Sequence, residues 1–423
     1  MEYKPTVHKL SNGATVILDP MDLETVAIKI RFKTGSRDET DENHGITHFC
    51  EHMLCKGTKK LPTRKELREY VENSGGVSNA MTSNRGIMLS GRIIAENTNV
   101  LLEVFSDMLQ HSLFDPNKIE IERSVILDEL RRGLGSNQRK FANLIDTNLF
   151  GYSVFQTLGN EENIKSFTRE QMLDWLHKRL SGKNCIIGVS GRIDDENALL
   201  AKIQELFSFL PNHEVPTNQE IKYTPCDKFL FESSLKNVWI NILFPYIRPS
   251  TYENIRDDMA EAMFRKYLIQ ELSEVLRQQN GLVYGLGGTS WGNEITGVRG
   301  IDTETSPENL ERVVALIAQT SYRIYTQDKI TEPVIQRFRN IHRLADADFL
   351  ESSSRRRDVL VSHWEDFGKL YDYNHIIELD RGITADDVIR ASHGFFDGPM
   401  SIMTFGAEYG NIDLRKIWID NFK

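Results

Sequence analysis

Apolar and polar residues alternate through positions 5–33, with a break at Ser11-Asn12-Gly13, which predicts strands over 15–18 and 26–32 joined by a turn. The alternation stops over 44–58 and helical spacing follows over 62–74. Gly75-Gly76 ends that helix, and the stretch to residue 94 again reads as strands. Helical periodicity returns at 96–110 and from 116 to about 132, the second opened by Asp115-Pro116, a cap residue followed by proline in the first turn. Strands and helices segregated in this way predict α+β layers rather than strict βαβ alternation.

One stretch of this pattern occurs twice. Thr168 and Gln171 have the spacing of a capping box before a helix that ends near Gly182 and is followed by an apolar strand from Cys185. Thr384 and Asp387 open a second such helix, which ends by Gly398 and precedes the apolar run from Ile402. Both landmarks repeat at an offset of 216 residues, close to half of the 423-residue chain. A polar turn and an amphipathic segment, 195–209 and 412–421, follow each strand. The expectation is two homologous domains, 1–210 and 226–423, each an antiparallel-rich sheet with helices packed on one face. The linker is 211–225, polar and holding three prolines.

Composition narrows the class. With 40% hydrophobic and 26% charged residues the chain can build a sizeable core, which excludes disordered and collagen-like classes. No apolar run approaches the roughly 18 residues of a membrane span. The start has neither a signal-peptide nor a transit-peptide pattern, so a cytoplasmic protein is expected. A net charge of −10 argues against nucleic acid or an anionic membrane as main partner. The one basic run, Arg355-Arg356-Arg357, is expected to be a solvated helix face. Four cysteines without a CxxC pair read as reduced thiols.

The strongest chemical signal is His48-Phe-Cys-Glu51-His52. On a helix, His48 and His52 stand one turn apart, so both imidazoles project from one face and can hold one metal ion, while Glu51 stays close without being a ligand. Metal-assisted hydrolysis needs that set: nitrogen donors, a free carboxylate and an open position for water. Surface histidines beside an acid would have the same spacing. A catalytic zinc takes a third protein ligand. In the 116–132 helix, Glu120 and Asp128 point elsewhere, whereas Glu122 and Glu129 fall within about 20° of each other, on the side of Val125 and Ile126. Two carboxylates on an apolar stripe need a cation unless the stripe lies at a half-exposed edge; otherwise one ligates the metal and the other supports it.

The 48–58 segment, with Glu122 to Glu129 some seventy residues on, resembles the pitrilysin/insulinase family of inverzincin metallopeptidases. That family includes the mitochondrial processing peptidase and short bacterial relatives. The likeness extends over the chain: Leu10-Ser-Asn-Gly13, Gly75-Gly76 before Asn79-Ala80, and the two-half organisation. It implies Zn2+ held by His48, His52 and Glu129, Glu51 as general base and Glu122 as a supporting acid. It also implies an edge strand, opened by Asn79 and Ala80, that pairs with the substrate backbone. The second half lacks HxxEH but carries Arg277 and Tyr284 in a segment similar to the family's Arg…Gly-Leu-x-Tyr, which contacts substrate and developing oxyanion. Two features depart from the family: Cys50 and Cys55 replace bulky apolar residues and read as small buried hydrophobes, and 268–276 replaces a glycine-rich stretch. The expected function is a zinc endopeptidase for peptides or short unfolded segments. Because the family chamber uses four repeats, a homodimer is the simplest assembly. A non-catalytic assembly subunit, or one needing an unlike partner, is the alternative.

Overall fold

The structure is a computed structural model and describes residues 3–151, 157–216, 222–292, 296–326 and 330–423. In the first half the order is β1 (Thr6–Lys9), β2 (Thr15–Pro20), β3 (Thr25–Phe32), α1 (Ile46–Leu54), α2 (Arg64–Asn73), β4 (Gly76–Ser83), β5 (Gly86–Ile94), α3 (Thr98–His111), α4 (Pro116–Gly135), α5 (Asn137–Phe150), α6 (Glu161–Ser166), α7 (Arg169–Arg179), β6 (Cys185–Gly191) and α8 (Glu196–Phe207). The second half repeats that order from β2 onward, with one change. It runs β7 (Lys228–Phe231), β8 (Val238–Pro245), α9 (Tyr252–Ser273), β9 (Leu286–Gly292), β10 (Gly297–Thr305), α10 (Leu310–Thr326), α11 (Glu332–Leu350), α12 (Ser353–Phe367), α13 (Tyr373–Arg381), α14 (Ala385–Phe396), β11 (Ser401–Gly406) and α15 (Leu414–Asn421). The change is at α9: one long helix replaces the pair α1 and α2.

The sheets share a topology. The first has strand order β1-β2-β6-β3-β5-β4 and the second β7-β11-β8-β10-β9, so five strands correspond one to one. In each, the late strand (β6 or β11) inserts parallel to the first of these strands and antiparallel to the next. Both expected capping boxes are present, with Thr168 accepting from the Gln171 N–H and Thr384 from the Asp387 N–H. The duplication and the antiparallel-rich α+β fold read from the 216-residue offset are thus present.

Each sheet packs its main helical layer on one face. Phe32, Ile30 and Leu89 of the first sheet meet Phe49, Met53 and Phe105 in its core; Ile240, Ile242 and Ile301 of the second meet Phe264, Leu268 and Val314. Among the described residues the opposite faces carry one helix each, and that helix comes from the other half of the chain. The described residues within 1–139, 153–219 and 347–371 form one unit, and those within 140–152, 220–346 and 372–423 form the other. Compared with the expected 1–210 and 226–423, α5 therefore joins the second unit and α12 the first. Residues 217–221 of the expected linker lie outside the described residues.

Burial explains both assignments. Phe141, Ile145 and Leu149 of α5, spaced at i, i+4 and i+8, pack with Leu243, Val298, Met403 and Phe405 of the second sheet. On the first sheet, Gly188 leaves room for α12: a Cβ there would lie 2.5 Å from Val361 Cγ2. The basic run is consequently not a solvated face. Arg356 is 0% exposed, forms a two-pronged pair with Asp19, its Nε 2.7 Å from Oδ2, and stacks on Tyr3. Arg357 donates to the Ile28 and Gly91 carbonyls, and only Arg355 of the three is exposed. A carboxylate and sheet carbonyls facing the helix make burial of two guanidiniums tolerable. No helix among the described residues is long and apolar enough to cross a membrane.

Candidate metal centre

The site is built on α1 and α4 of the first unit. Phe49, Cys50, Met53 and Leu54 anchor α1 in the core, which turns His48, Glu51 and His52 toward α4. Gly45, at φ 97°, starts the helix, and Glu39 supplies its cap by accepting from the Gly45 and Thr47 N–H groups at 2.8 and 2.9 Å. Asp115 caps α4 ahead of Pro116, and Lys118 holds the segment after α1 by donating to the Lys56 and Pro62 carbonyls.

Three candidate ligand atoms converge. His48 Nε2 and His52 Nε2 are 3.2 Å apart, and Glu129 Oε2 lies 3.7 Å from each. Donors about 2.0–2.1 Å from a tetrahedral zinc stand about 3.3 Å from one another, so a small shift closes this set around the ion. The donor chemistry also fits. His52 Nδ1 is engaged with Glu122 Oε2 at 3.0 Å, which leaves Nε2 as the lone-pair atom. Burial, with His52 and Arg139 adding to it, lowers His48 to about 3, so its imidazole is neutral. Two imidazole lone pairs and a carboxylate oxygen facing one point call for a cation. His48 Nδ1 is buried with no hydrogen-bond partner, so His52 is the better oriented of the two histidines.

The two glutamates of α4 take different positions. Glu129 stands among the imidazole nitrogens, whereas Glu122 is 4% exposed and sits behind His52. Burial works against the Glu122 anion, but the bonds to His52 and Lys56 outweigh it and hold the carboxyl below its ordinary value. Lys56 is the cation that the apolar stripe required. It closes on Glu122 Oε1 and is absent from the sequence-based set of site residues. Val125 is 38% exposed, so the buried stripe of α4 runs Ile119, Glu122, Ile126 and Leu130 rather than through Val125. Glu51 is buried; desolvation raises its carboxyl, with His52 opposing and Glu129 adding to the rise. Cys50 is fully buried against the Met172 carbonyl and burial pushes its thiol far up, while burial lifts half-buried Cys55 to about 12. Both are inert thiols.

Comparison with known proteins matches the chain to one family. The profile described as "Insulinase (Peptidase family M16)" matches residues 16–152, and that described as "Peptidase M16 inactive domain" matches 166–341. The chain belongs to peptidase family M16. A Rickettsia felis protein named "Uncharacterized zinc protease" is 27% identical to this M16 chain over 418 residues, 97% of it and 98% of the relative. The mitochondrial-processing peptidase subunit beta of Dictyostelium discoideum is 33% identical over 201 residues, 47% of this chain and 43% of that protein. The fold matches the periplasmic protease PqqL of Escherichia coli with a TM-score of 0.82 at 15% identity, covering 96% of this chain but 46% of that one.

The remaining candidates of the M16 chain belong to other elements. Asn79 and Ala80 lie on β4, the edge of the first sheet, paired to Ser90 and Leu89 of β5, with Asn79 exposed. Arg277 and Tyr284 belong to the second unit. There the stretch without the glycine-rich loop is helical, because Leu268, Leu272 and Leu276 form a fully buried stripe. The helix then widens into a π turn over Glu274–Gln279, and Gly281, at φ 63°, releases the chain. Tyr284 emerges 82% exposed, with the Arg277 guanidinium 5.5 Å from its ring centre.

Proposed function

We propose that this chain is a zinc-dependent endopeptidase that hydrolyses peptides or short unfolded segments. The observation that carries the reading is the meeting of two imidazole nitrogens and the Glu129 carboxylate, with Glu51 buried on the same helix and free of them. His48, His52 and Glu129 would hold the ion, and Glu122 would orient His52. When bound, zinc supplies a water whose pKa falls toward about 7 and an electrophile for the scissile carbonyl. Glu51 takes the proton of the attacking water and delivers it to the leaving amine. Its raised carboxyl brings its affinity for the proton closer to that of the groups it serves. Asn79 and Ala80 receive the substrate as an added strand on the free edge of β4. Arg277 and Tyr284 donate to the carbonyl oxygen as charge builds on it. Two copies of the chain together supply four repeats and approach the length of the PqqL chain, of which one copy covers 46%.

Glu51→Gln tests the assignment. Cleavage of a quenched peptide library should fall by about 10²–10⁴-fold while metal analysis still finds one zinc per chain. Loss of zinc in that variant would make Glu51 a ligand. A wild-type chain that binds zinc yet cleaves nothing would be an assembly subunit instead.

A further inference from the structure

A cavity of about 570 Å³ lies within the second unit, where residues 245–250 lead from β8 into α9. Asp257, Asp258 and Glu261 line it from one face of α9. Across from them α14 presents Ala391 and Gly394, and a Cβ built on Gly394 would meet nothing within 4 Å. The space is therefore left by small residues on one helix and polar residues on the other.

Its lining holds an acceptor and a donor without partners. Glu261 is 3% exposed; its Oε2 is 3.4 Å from Arg265, while its Oε1 is buried with no hydrogen-bond partner. Arg299 gives one terminal N–H to the Gly394 carbonyl, but its Nε is likewise buried and unpaired. Burial raises both Asp258 and Glu261, the latter to about 7; a hydrogen bond with Tyr246 opposes the rise at Asp258 and arginines oppose it at both, and an incoming cation would favour their ionised forms. Arg390 stands at the mouth, already paired to Asp387 and 3.7 Å from Asp257. A buried acceptor and a buried donor on two side chains that line one cavity are satisfied together, once those side chains turn toward it, by a molecule that carries both charges.

We infer that this cavity is a binding site for a zwitterion of the amino-acid class, its ammonium directed to Glu261 and Asp258 and its carboxylate to Arg299. A free amino acid and a short peptide share that chemistry. The volume lies in the range of small-molecule sites and favours a peptide of a few residues. No residue of the metal centre takes part, so this inference and the peptidase reading stand or fall separately.

The test is calorimetric titration of the full-length chain, in a Glu51→Gln background to prevent turnover, with triglycine, glycine and N-acetyl-triglycine amide. Triglycine should bind one per chain and survive removal of zinc by chelator, and the doubly capped peptide should bind about tenfold or more weakly. Gly394→Leu, which fills the cavity from within a helix, and Glu261→Gln, which removes its charge, should each weaken triglycine by about tenfold or more while melting near the parent temperature. Glycine binding as tightly as triglycine would identify the free amino acid as the ligand, and tighter triglycine the peptide. Absence of binding, equal binding of the capped peptide, or full binding by both variants would overturn the inference.

Discussion

At Glu122 one carboxylate serves two partners, with Lys56 on one oxygen and His52 Nδ1 on the other. The lysine and glutamate side chains are only 15% and 5% exposed, so removing either charge strands the other. Lys56→Met should therefore leave Glu122 a poorer acceptor for His52. Zinc affinity, read by competition with a chromophoric chelator, should fall by about 10–100-fold, and Lys56→Arg should recover most of it. Unchanged affinity in Lys56→Met would remove the lysine from the site. The contrast with the histidines explains what the sequence could disclose. His48 and His52 are legible because one helical turn fixes their relation, whereas the partner of Lys56 lies 66 residues on, where no local period reaches. Glu122 and Glu129 could be placed on one side of α4, but which of them enters the imidazole pair depends on how α4 crosses α1.

The helix that carries the motif starts in an unusual way, and its cap titrates. Glu39 is capped over by the chain, and burial pushes its carboxyl up to about 8 despite the N–H groups of Gly45 and Thr47. Its ordinary value is 4.5, so the folded chain holds this proton more tightly than the unfolded one. The stability it contributes is full below about 4.5 and is lost as pH rises through about 8. Urea midpoints of the wild type should accordingly decline from about pH 5 to 8 relative to those of Glu39→Gln, which keeps the neutral form throughout. A wild-type-to-variant difference independent of pH would contradict this. The capping boxes at Thr168 and Thr384 were readable because cap and partner are three residues apart; Glu39 reaches across the turn at 40–44 and leaves no such spacing. α5 is not among the helices read from the sequence, and the spacing of Phe141, Ile145 and Leu149 would give a helix face but not the sheet it covers, since periodicity carries no address.

Over the molecule, duplication separates the chemistry: the metal motif stands in one repeat, and Arg277 with Tyr284 in the other. If two copies complete the site, as proposed, Glu51→Gln and Tyr284→Phe chains, each poorly active alone, should complement when mixed. Random pairing makes half the dimers mixed, each with one intact site, so recovery should approach about a quarter of wild-type activity. Chains shown to exchange without recovery would place the site within one copy. The crossed helices have a further consequence, in the order of synthesis. The last strand of the first sheet is made by Gly191, yet the helix that covers its second face begins at Ser353, about 160 residues later. At about 5–20 residues per second the ribosome needs roughly 8–30 s to deliver it. For that interval Asp19, Lys29 and Arg31 wait without Arg356, Asp358 and Glu365, their eventual partners. The amino-terminal half is thus a nascent chain that cannot finish folding on its own schedule, and its completion is timed by the translation of the other half.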